Sequence, residues 1–265
     1  MKAILSPAKK MRTKSQLDPA DIAHIEATTS LHAPRFLAEA SEVMDVMTSL
    51  DTLDMAAALK VGQNVAADAV ANWSLFTPDA TSDPEALPAY IAFDGIAYHY
   101  CDAKSLDAAS WQHLDQTLCT IDATFGLLKP QDAILPHRMD FTSKVKIDGK
   151  NPYAFWADKV AKQIDEEAEG LIINIASAEY SKLVIGKVSP TTKIVQCDFY
   201  SVHKGKTMIQ STWAKMARGA MARYIALSKA ATVDELKDFD ALGFSFVPAQ
   251  SNDERLVFLC KNPVL

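Results

Sequence analysis

Long apolar runs, paired cysteines and glycine-rich loops are all missing from this 265-residue chain. No apolar run has the length of a membrane span, and the apolar stretch after Met1 is too short for a signal peptide, so we expect no membrane association. The cysteines have no paired spacing and are interpreted as small, reduced core residues; they are Cys101, Cys119, Cys197 and Cys260. The sequence therefore predicts a cytoplasmic protein.

Familiar catalytic signatures are missing as well. The six histidines are dispersed, and no two are spaced four residues apart as in a helical metal site. His99 and Cys101 lie close together, but two potential ligands at this spacing are more typical of core or surface residues. No serine stands in a nucleophile elbow, and no glycine-rich loop is available to hold a phosphate. We therefore predict no metal and no cofactor.

Two segments of this otherwise acidic chain contain no acidic residue. The formal net charge is −6, yet Met1 to Leu17 and Phe199 to Val233 contain no Asp or Glu and carry many of the lysines and arginines. Such segregation concentrates positive potential where an anionic partner is attracted. The net negative charge argues against a nonspecific nucleic-acid coat protein and predicts weak, salt-sensitive binding at a local basic cleft.

One helix in the second acid-free segment carries most of this argument. We predict it from Ser211 to Ser228, with an apolar side that includes Trp213 and Ile225. The opposite arc carries hydroxyls, cations and small residues: Ser211, Thr212, Lys215, Arg218, Gly219, Ala222, Arg223 and Lys229. Small residues between the cations would let a bulky anion approach the helix backbone, and the helix start offers free N–H groups. The alternative is a solvated basic face.

Two further segments combine a structural turn with polar groups. The predicted buried strand Leu171 to Ile175 runs into Asn174 and Ser177 and is followed by Glu179 and Tyr180. Strand ends are places where sheets present polar groups to ligands, although Ser177 is equally suited to cap a helix, and the two roles are compatible.

The second segment, Leu118 to Pro130, is interpreted as a helical run broken at Phe125 and Gly126, just before Lys129. Backbone N–H groups of such a hairpin can hold a DNA phosphate, while an ordinary helix stop with Gly and Pro explains the same residues. Arg138 follows a turn stiffened by Pro136.

The remaining patterns predict a single α+β domain, residues 1–265, with helices around a mixed β-sheet. The apolar fraction of 49% and the charged fraction of 23% are those of an ordinary globular protein. Predicted helices span Pro19 to Thr29, Ala33 to Leu50, Asp54 to Ala71, Ser105 to Thr120 and Tyr153 to Glu167. Predicted strands span Lys2 to Leu5 and Ala89 to Phe93, with hairpins at Lys193 to Gln210 and Phe244 to Cys260. Thr77 to Pro88 is predicted as a loop.

Together these segments resemble the YaaA family, bacterial proteins tied to peroxide stress. The resemblance spans nearly the whole chain and is carried by short blocks in order: Ile4 to Lys9, Ala92 to Gly95 with Tyr98, Phe125 to Pro130, Pro136 to Arg138, Tyr153 to Trp156, Asn174 to Ser177 with Glu179 and Tyr180, Lys215 to Gly219 with Met221 and Arg223, and Leu256 to Phe258. The resemblance implies one α+β domain with a positively charged cleft and a helix-hairpin-helix-like element near Ile121 to Lys129. It also implies binding of double-stranded DNA and a role in limiting damage when iron and peroxide coincide.

This chain departs from the family pattern at several positions. The family often has Lys where Met216 and Asp94 stand, an acid in place of Ala178, Tyr in place of His137 and Arg in place of Lys129. The loss of two positive charges and the added Asp94 should weaken DNA affinity. Ala178 casts doubt on paired-acid chemistry with Glu179.

The leading prediction is a cytoplasmic, metal-free protein of the peroxide stress response that binds duplex or structured DNA. The sequence leaves its oligomeric state open, with a monomer favoured. The predicted anion-binding residues are Lys9, Lys10, Phe125, Gly126, Lys129, Arg138, Asn174, Ser177, Tyr180, Lys215, Arg218, Gly219 and Arg223. One alternative is an enzyme on a nucleic acid or small phosphorylated substrate, with Glu179 as acid or base; a pocket in which Glu179 faces Lys9 and Arg218 would favour it. Another is an interaction protein that docks an acidic partner on its basic face.

Overall fold

A computed structural model describes residues 1–261, and an eight-stranded sheet runs through them. The strands are β1 Lys2–Leu5, β2 Leu87–Pro88, β3 Leu118–Asp122, β4 Gly126–Leu128, β5 Ala133–Ile134, β6 Leu171–Asn174, β7 Lys193–His203, β8 Lys206–Met208, β9 Phe244–Phe246 and β10 Arg255–Cys260. The helices are α1 Pro19–Thr28, α2 Leu37–Thr48, α3 Thr52–Leu59, α4 Gln63–Ser74, α5 Ala89–Ala92, α6 Ile96–Cys101, α7 Ala108–Thr117, α8 Pro152–Glu167, α9 Ala178–Ser181, α10 Ser211–Ser228 and α11 Val233–Leu236. Four short 3₁₀ turns lie at Lys14–Gln16, Ala103–Ser105, Ala241–Gly243 and Pro248–Gln250.

The main sheet has a parallel centre and antiparallel edges. Its order is β4-β3-β1-β6-β7-β10-β9, with β8 added to β7, while β2 and β5 form a separate pair. Strands β3, β1, β6, β7 and β10 run parallel, and β4, β8 and β9 run antiparallel to their neighbours. The mixed α+β fold predicted from the sequence is confirmed.

The central strand is short and fully enclosed. All four residues of β1 are buried, and Ile4 pairs with Cys119 of β3 on one side and with Asn174 of β6 on the other. Strands covered by helices on both faces need apolar side chains in both directions, which explains the apolar runs Ala3 to Leu5 in β1 and Leu171 to Ile173 in β6. This register brings the carboxyl ends of β1, β3 and β6 to one edge of the sheet.

Several predicted elements have the expected bounds because their signals are local. Helix α8 begins at Pro152, and the Asn151 side chain accepts a hydrogen bond from the Ala154 N–H, as in a standard helix start. Helix α10 spans the predicted range, and the β7–β8 hairpin turns at Lys204 and Gly205, both at positive φ. The closing pair β9–β10 is also confirmed.

Other predicted elements are corrected. The single helix predicted from Asp54 to Ala71 is two helices, because Lys60 takes a left-handed conformation (φ 57°) and Gly62 starts α4. Ala89 to Phe93 is a helical turn rather than a strand. Residues 89–92 are all buried, and a short apolar run buried on every side has no periodicity that separates the two structures.

The predicted helical hairpin at Leu118 to Pro130 is a β-hairpin. The Asp122 carboxylate accepts hydrogen bonds from the N–H groups of Thr124 and Phe125 and closes the turn between β3 and β4. Gly126 has φ +68°, and a Cβ there would lie 2.5 Å from the Trp156 ring. Phe125 and Gly126 are buried, so the helix-hairpin-helix element is not found at this position and their backbone is closed to DNA.

Candidate functional site

A cleft of about 410 Å³ opens at the carboxyl edge of the sheet, between the segments that follow β1 and β6. The chain places β3 on one side of β1 and β6 on the other, so the connections leave the sheet in different directions and create a crevice. Ligands in parallel sheets bind at such points. The predicted residues that line the cleft are Lys9, Lys10, Ser177, Glu179, Tyr180, Lys215 and Arg218.

Hydrogen bonds join the two loops that form the cleft floor. The Ser177 N–H donates to Ser6 Oγ at 2.9 Å, and Ser6 Oγ donates to Ser177 Oγ at 3.2 Å. Tyr98 Oη donates to the Ser6 carbonyl at 3.0 Å. Ser177 stands at the N-cap of α9, but its hydroxyl makes no capping bond to that helix. The predicted N-cap position is therefore correct, while the Ser177 hydroxyl accepts a hydrogen bond from Ser6 at the cleft floor.

Two cations of the cleft are paired with a carboxylate, and two are not. Lys9 forms an ion pair with Asp140 at 3.0 Å, and Lys10 forms one with Asp94 at 2.6 Å. Within residues 1–261, Lys215 and Arg218 have no carboxylate at ion-pair distance.

Helix α10 supplies both uncompensated cations. Lys215 is exposed and Arg218 is half-buried. Burial lowers the pKa of Arg218, with Asp198 opposing the shift, and its Nε has no hydrogen-bond partner in the described chain. An anion that enters the cleft would give these two side chains the partner that the protein does not supply.

Glu179 is a half-buried carboxyl that lines the same cleft. Burial raises the pKa of Glu179, the nearby Asp140 carboxylate adds to the rise, and Lys9 and Lys182 oppose it. Its Oε1 atom is buried without a hydrogen-bond partner among the described residues. Glu179 therefore shares one cleft with Lys9 and Arg218, the arrangement that favours an acid or base role.

The carboxylate that adds to the raised pKa of Glu179 is Asp140, from a distant segment. The sequence analysis considers a paired acid only at the adjacent position, where Ala178 stands, and does not predict Asp140. The only sequence signal is its place two residues after the block Pro136 to Arg138.

A small polar chamber of about 10 Å³ lies behind Lys9 and Tyr180. Its walls include Asp122, His137, Arg138 and Asp140. His137 is buried; its Nδ1 lies 2.9 Å from the Leu135 carbonyl, to which it must donate, and its Nε2 lies 3.4 Å from the Asp122 carboxylate. Arg138 is half-buried and lines this chamber, and its Nε has no hydrogen-bond partner in the described chain.

Comparison with known proteins gives the family. The sequence model of the family described as peroxide stress protein YaaA matches residues 1–250. The chain belongs to the YaaA peroxide stress protein family. Similar proteins include a UPF0246 protein of Cereibacter sphaeroides, 33% identical over 98% of this chain and 99% of the relative. Another is a UPF0246 protein of Agathobacter rectalis, 30% identical over 97% of this chain and 98% of the relative.

Two predicted residues of α10 in this YaaA-family chain serve the fold instead of the cleft. A Cβ on Gly219 would lie 1.8 Å from the Ala97 carbonyl oxygen, because α10 crosses α6 at that point. Arg223 donates to the carbonyls of Cys101 and Asp102 at the end of α6 and forms an ion pair with the Asp102 carboxylate. Helix α6 therefore covers Gly219, and Arg223 is bonded to the end of that helix, whereas the sequence predicts both residues on an exposed arc.

Two other predicted residues also support the scaffold. Asn174 is buried; its Nδ2 donates to Gln196 Oε1 at 2.6 Å, and its Oδ1 accepts from the Ala176 N–H. Lys129 is half-buried after β4, where its N–H donates to the Asp132 carboxylate. Neither lines the cleft, so their part is to shape the turns after β6 and β4.

Other site types find little support in the described residues. No group of three or more His, Cys, Asp or Glu side chains is arranged to hold a metal ion within residues 1–261. Among the helices in that range, none is both long enough and apolar enough to cross a membrane. All four cysteines are buried, and burial raises the pKa of Cys101 and Cys119 to about 12.

Proposed function

We propose that this protein binds DNA in the peroxide stress response and that the cleft receives a backbone phosphate. One observation carries the proposal: Lys215 and Arg218 converge on a concave cleft without a carboxylate partner in the described chain. A phosphate diester is an anion of suitable size and charge for such a pair. Membership of the peroxide stress family supports the physiological setting.

The remaining lysines at the mouth explain why the binding should be modest. Lys9 and Lys10 have side chains 57% and 79% exposed, so both can reach a second phosphate. Each must first leave Asp140 or Asp94, which lowers the net gain. Contacts of this kind position DNA without reading its sequence, so we expect selection of DNA structure rather than sequence.

Salt dependence of duplex binding tests the proposal. Up to four phosphate contacts predict a slope of log K against log salt of roughly −3 to −4. Replacing the two unpaired cations together, Lys215→Gln with Arg218→Gln, should make the slope shallower by about two units.

The matched control removes two lysines that lie away from the cleft, Lys193→Gln at the amino end of β7 and Lys229→Gln at the far end of α10. This control should change the slope little. Equal affinity and slope for the cleft variant and the wild type would refute the proposal.

A second candidate is an enzyme that acts on a nucleic acid or a small phosphorylated substrate, with Glu179 as acid or base. The raised pKa and unpartnered Oε1 of Glu179, beside Lys9, favour it specifically. Glu179→Gln keeps the shape of the side chain and removes its titration. An acid or base role predicts a loss of activity of about 100-fold or more without unfolding.

Peroxide survival of cells that carry the variant is the measurement for this second candidate. Exposed Glu166→Gln on α8 serves as the control for an equal change of charge. Normal survival with Glu179→Gln would refute the enzymatic proposal. It would not bear on the DNA-binding proposal.

A further inference from the structure

The β7–β8 hairpin extends past the rest of the sheet on the side of the cleft. Ser201 of β7 pairs with Cys260 of β10 on one side and with Met208 of β8 on the other, so β8 lies on the β6 side of β7. The last β6 pair joins Asn174 to Gln196, five positions before Ser201 on β7. At about 3.3 Å per residue, the pair of Ser201 with Met208 at the base of the hairpin lies roughly 17 Å beyond the end of β6. The hairpin therefore rises from the same carboxyl edge at which the cleft opens.

The tip of this hairpin is basic and uncompensated. His203, Lys204, Gly205 and Lys206 are exposed, as are all residues of β8. In the described chain no carboxylate lies at ion-pair distance from Lys204 or Lys206. The acid-free segment that includes α10 also includes the whole tip. No acidic residue therefore separates the lysines of the tip from Lys215 and Arg218 along the chain.

The turn gives the tip a defined shape. Lys204 and Gly205 have φ 49° and 75°, the geometry of a two-residue hairpin turn with left-handed positions. The base of the hairpin is tied to α10, because Gln210 Nε2 donates to Ser201 Oγ at 2.6 Å. Helix α10 begins at Ser211 and carries Lys215 and Arg218 into the cleft, so the hairpin and the cleft are held in one unit.

We propose that the β7–β8 hairpin enters the major groove of duplex DNA while the cleft holds a backbone phosphate. The inference rests on the proposed DNA-binding function and adds a second contact to it. Ser201 is buried and still flanked by β10, so two paired positions, Val202 with Thr207 and His203 with Lys206, project about 7 Å, and the turn adds to that length. The major groove of B-form DNA is about 12 Å wide and 8.5 Å deep and accepts a two-stranded ribbon. The ribbon's exposed lysines can meet phosphates at the groove edge and base acceptors within it.

Exposed lysines on an edge strand also have a simpler role, which is to prevent association between sheets. That role predicts aggregation when Lys204 and Lys206 are neutralised, with no effect on the DNA affinity of the monomeric fraction. The groove-binding role predicts that the variant stays monomeric and that its DNA affinity falls. Sedimentation of the variant beside the wild type separates the two outcomes before any binding is measured.

The test is the double variant Lys204→Gln with Lys206→Gln, compared with the Lys193→Gln, Lys229→Gln control of equal charge. We expect the hairpin variant to lower duplex affinity and to make the salt slope shallower by about 1.8 units. Methylation of guanine N7, which lies in the major groove, should interfere with wild-type binding and not with binding by the hairpin variant.

The outcomes separate this inference from the proposed function. If the wild type binds duplex DNA and only the Lys215, Arg218 variant is impaired, the hairpin inference is overturned and the cleft proposal stands. A shallower slope without interference by N7 methylation overturns entry into the major groove. If the wild type does not bind duplex DNA at all, both proposals are refuted.

Discussion

The two halves of α10 meet different surroundings. The first half, Ser211 to Arg218, presents Lys215 and Arg218 to an open cleft without a carboxylate partner in the described chain. The second half packs Gly219 against the Ala97 backbone and ties Arg223 to the end of α6. A guanidinium that satisfies helix-end carbonyls is part of the scaffold, whereas one that lacks partners at the edge of a cleft is available to a ligand. Positive charge along one helix therefore has two separate physical roles.

The largest change in stability should come from a substitution where α10 crosses α6 closely. In an ordinary helix interior, Gly→Ala stabilises by about 1 kcal/mol. Gly219→Ala should instead destabilise by about 2–4 kcal/mol, because its Cβ would lie 1.8 Å from a backbone oxygen that cannot move alone.

Equilibrium urea unfolding measures this difference. Gly62→Ala is the control, since its Cβ meets nothing within 4 Å, and it should cost less than about 1 kcal/mol. A stabilised Gly219→Ala protein would show that the two helices are not in close contact.

The next effect distinguishes the two arginines of the helix. Arg223→Gln should lower the free energy of unfolding by about 1–2 kcal/mol, because it removes hydrogen bonds to the last carbonyls of α6. It should leave the salt slope of DNA binding unchanged. Arg218→Gln should make that slope shallower by about one unit for every duplex sequence, with stability changed by less than about 1 kcal/mol. If the two variants exchanged these effects, the division of α10 would be wrong.

The sequence predicted α10 itself but not what covers its second half. The periodicity and the acid-free composition are local signals, whereas the covering helix α6 lies more than a hundred positions earlier. The sequence predicts both Gly219 and Gly126 as places where a phosphate approaches the backbone. In the structure Ala97 and Trp156 occupy those places. A small residue indicates close approach without identifying what approaches.

The cleft was only partly predictable for a related reason. Of the predicted residues that line the cleft, Ser177, Glu179 and Tyr180 follow a strand end, Lys215 and Arg218 lie on the basic helix, and Lys9 lies in the acid-free segment at the start of the chain. Asp140 and Asp94 were not expected to pair with Lys9 and Lys10, since nothing local links those positions. From β3 into the following turn, Thr120, Asp122 and Thr124 alternate with apolar residues, which is a strand signal that the helical interpretation does not use.

A smaller effect on DNA binding should follow from removing Asp94, the carboxylate that pairs with Lys10 at the cleft mouth. Burial raises the pKa of Asp94, but hydrogen bonds from Lys10 and His99 and the charge of Arg12 outweigh it and bring the pKa to about 2. Asp94→Asn removes this acid, so duplex affinity should rise and the salt slope should steepen by up to one unit.

The same substitution tests the linkage to pH. The depressed pKa of Asp94 contributes stability that is complete above pH 4 and is lost as the pH falls towards 2. Asp94→Asn should therefore lower stability by about 1 kcal/mol at neutral pH and flatten the acid limb of the stability curve. Asp45→Asn, at a carboxyl on α2 outside the cleft, is the control. Unchanged DNA binding by Asp94→Asn would show that Lys10 does not contact DNA.

The smallest effect is expected at the thiols. Cys101, Cys119, Cys197 and Cys260 are buried, and burial raises the pKa of the first three, so peroxide should react with them slowly. Each Cys→Ala variant should bind DNA like the wild type. Rapid formation of a sulfenic acid at any of them, detected by mass spectrometry after a peroxide pulse, would contradict this expectation.

The central position of β1 has a consequence for how the protein is made. The strand leaves the ribosome first, but its partners β3 and β6 are more than a hundred residues further along. At about 5–20 residues per second, its second edge waits roughly 10–30 s before residue 174 has been synthesised. During that time an apolar segment with unpaired backbone is open to association with other nascent chains. We expect newly made protein to depend on holding chaperones, and refolding from urea to be slow because its parallel pairings join distant positions.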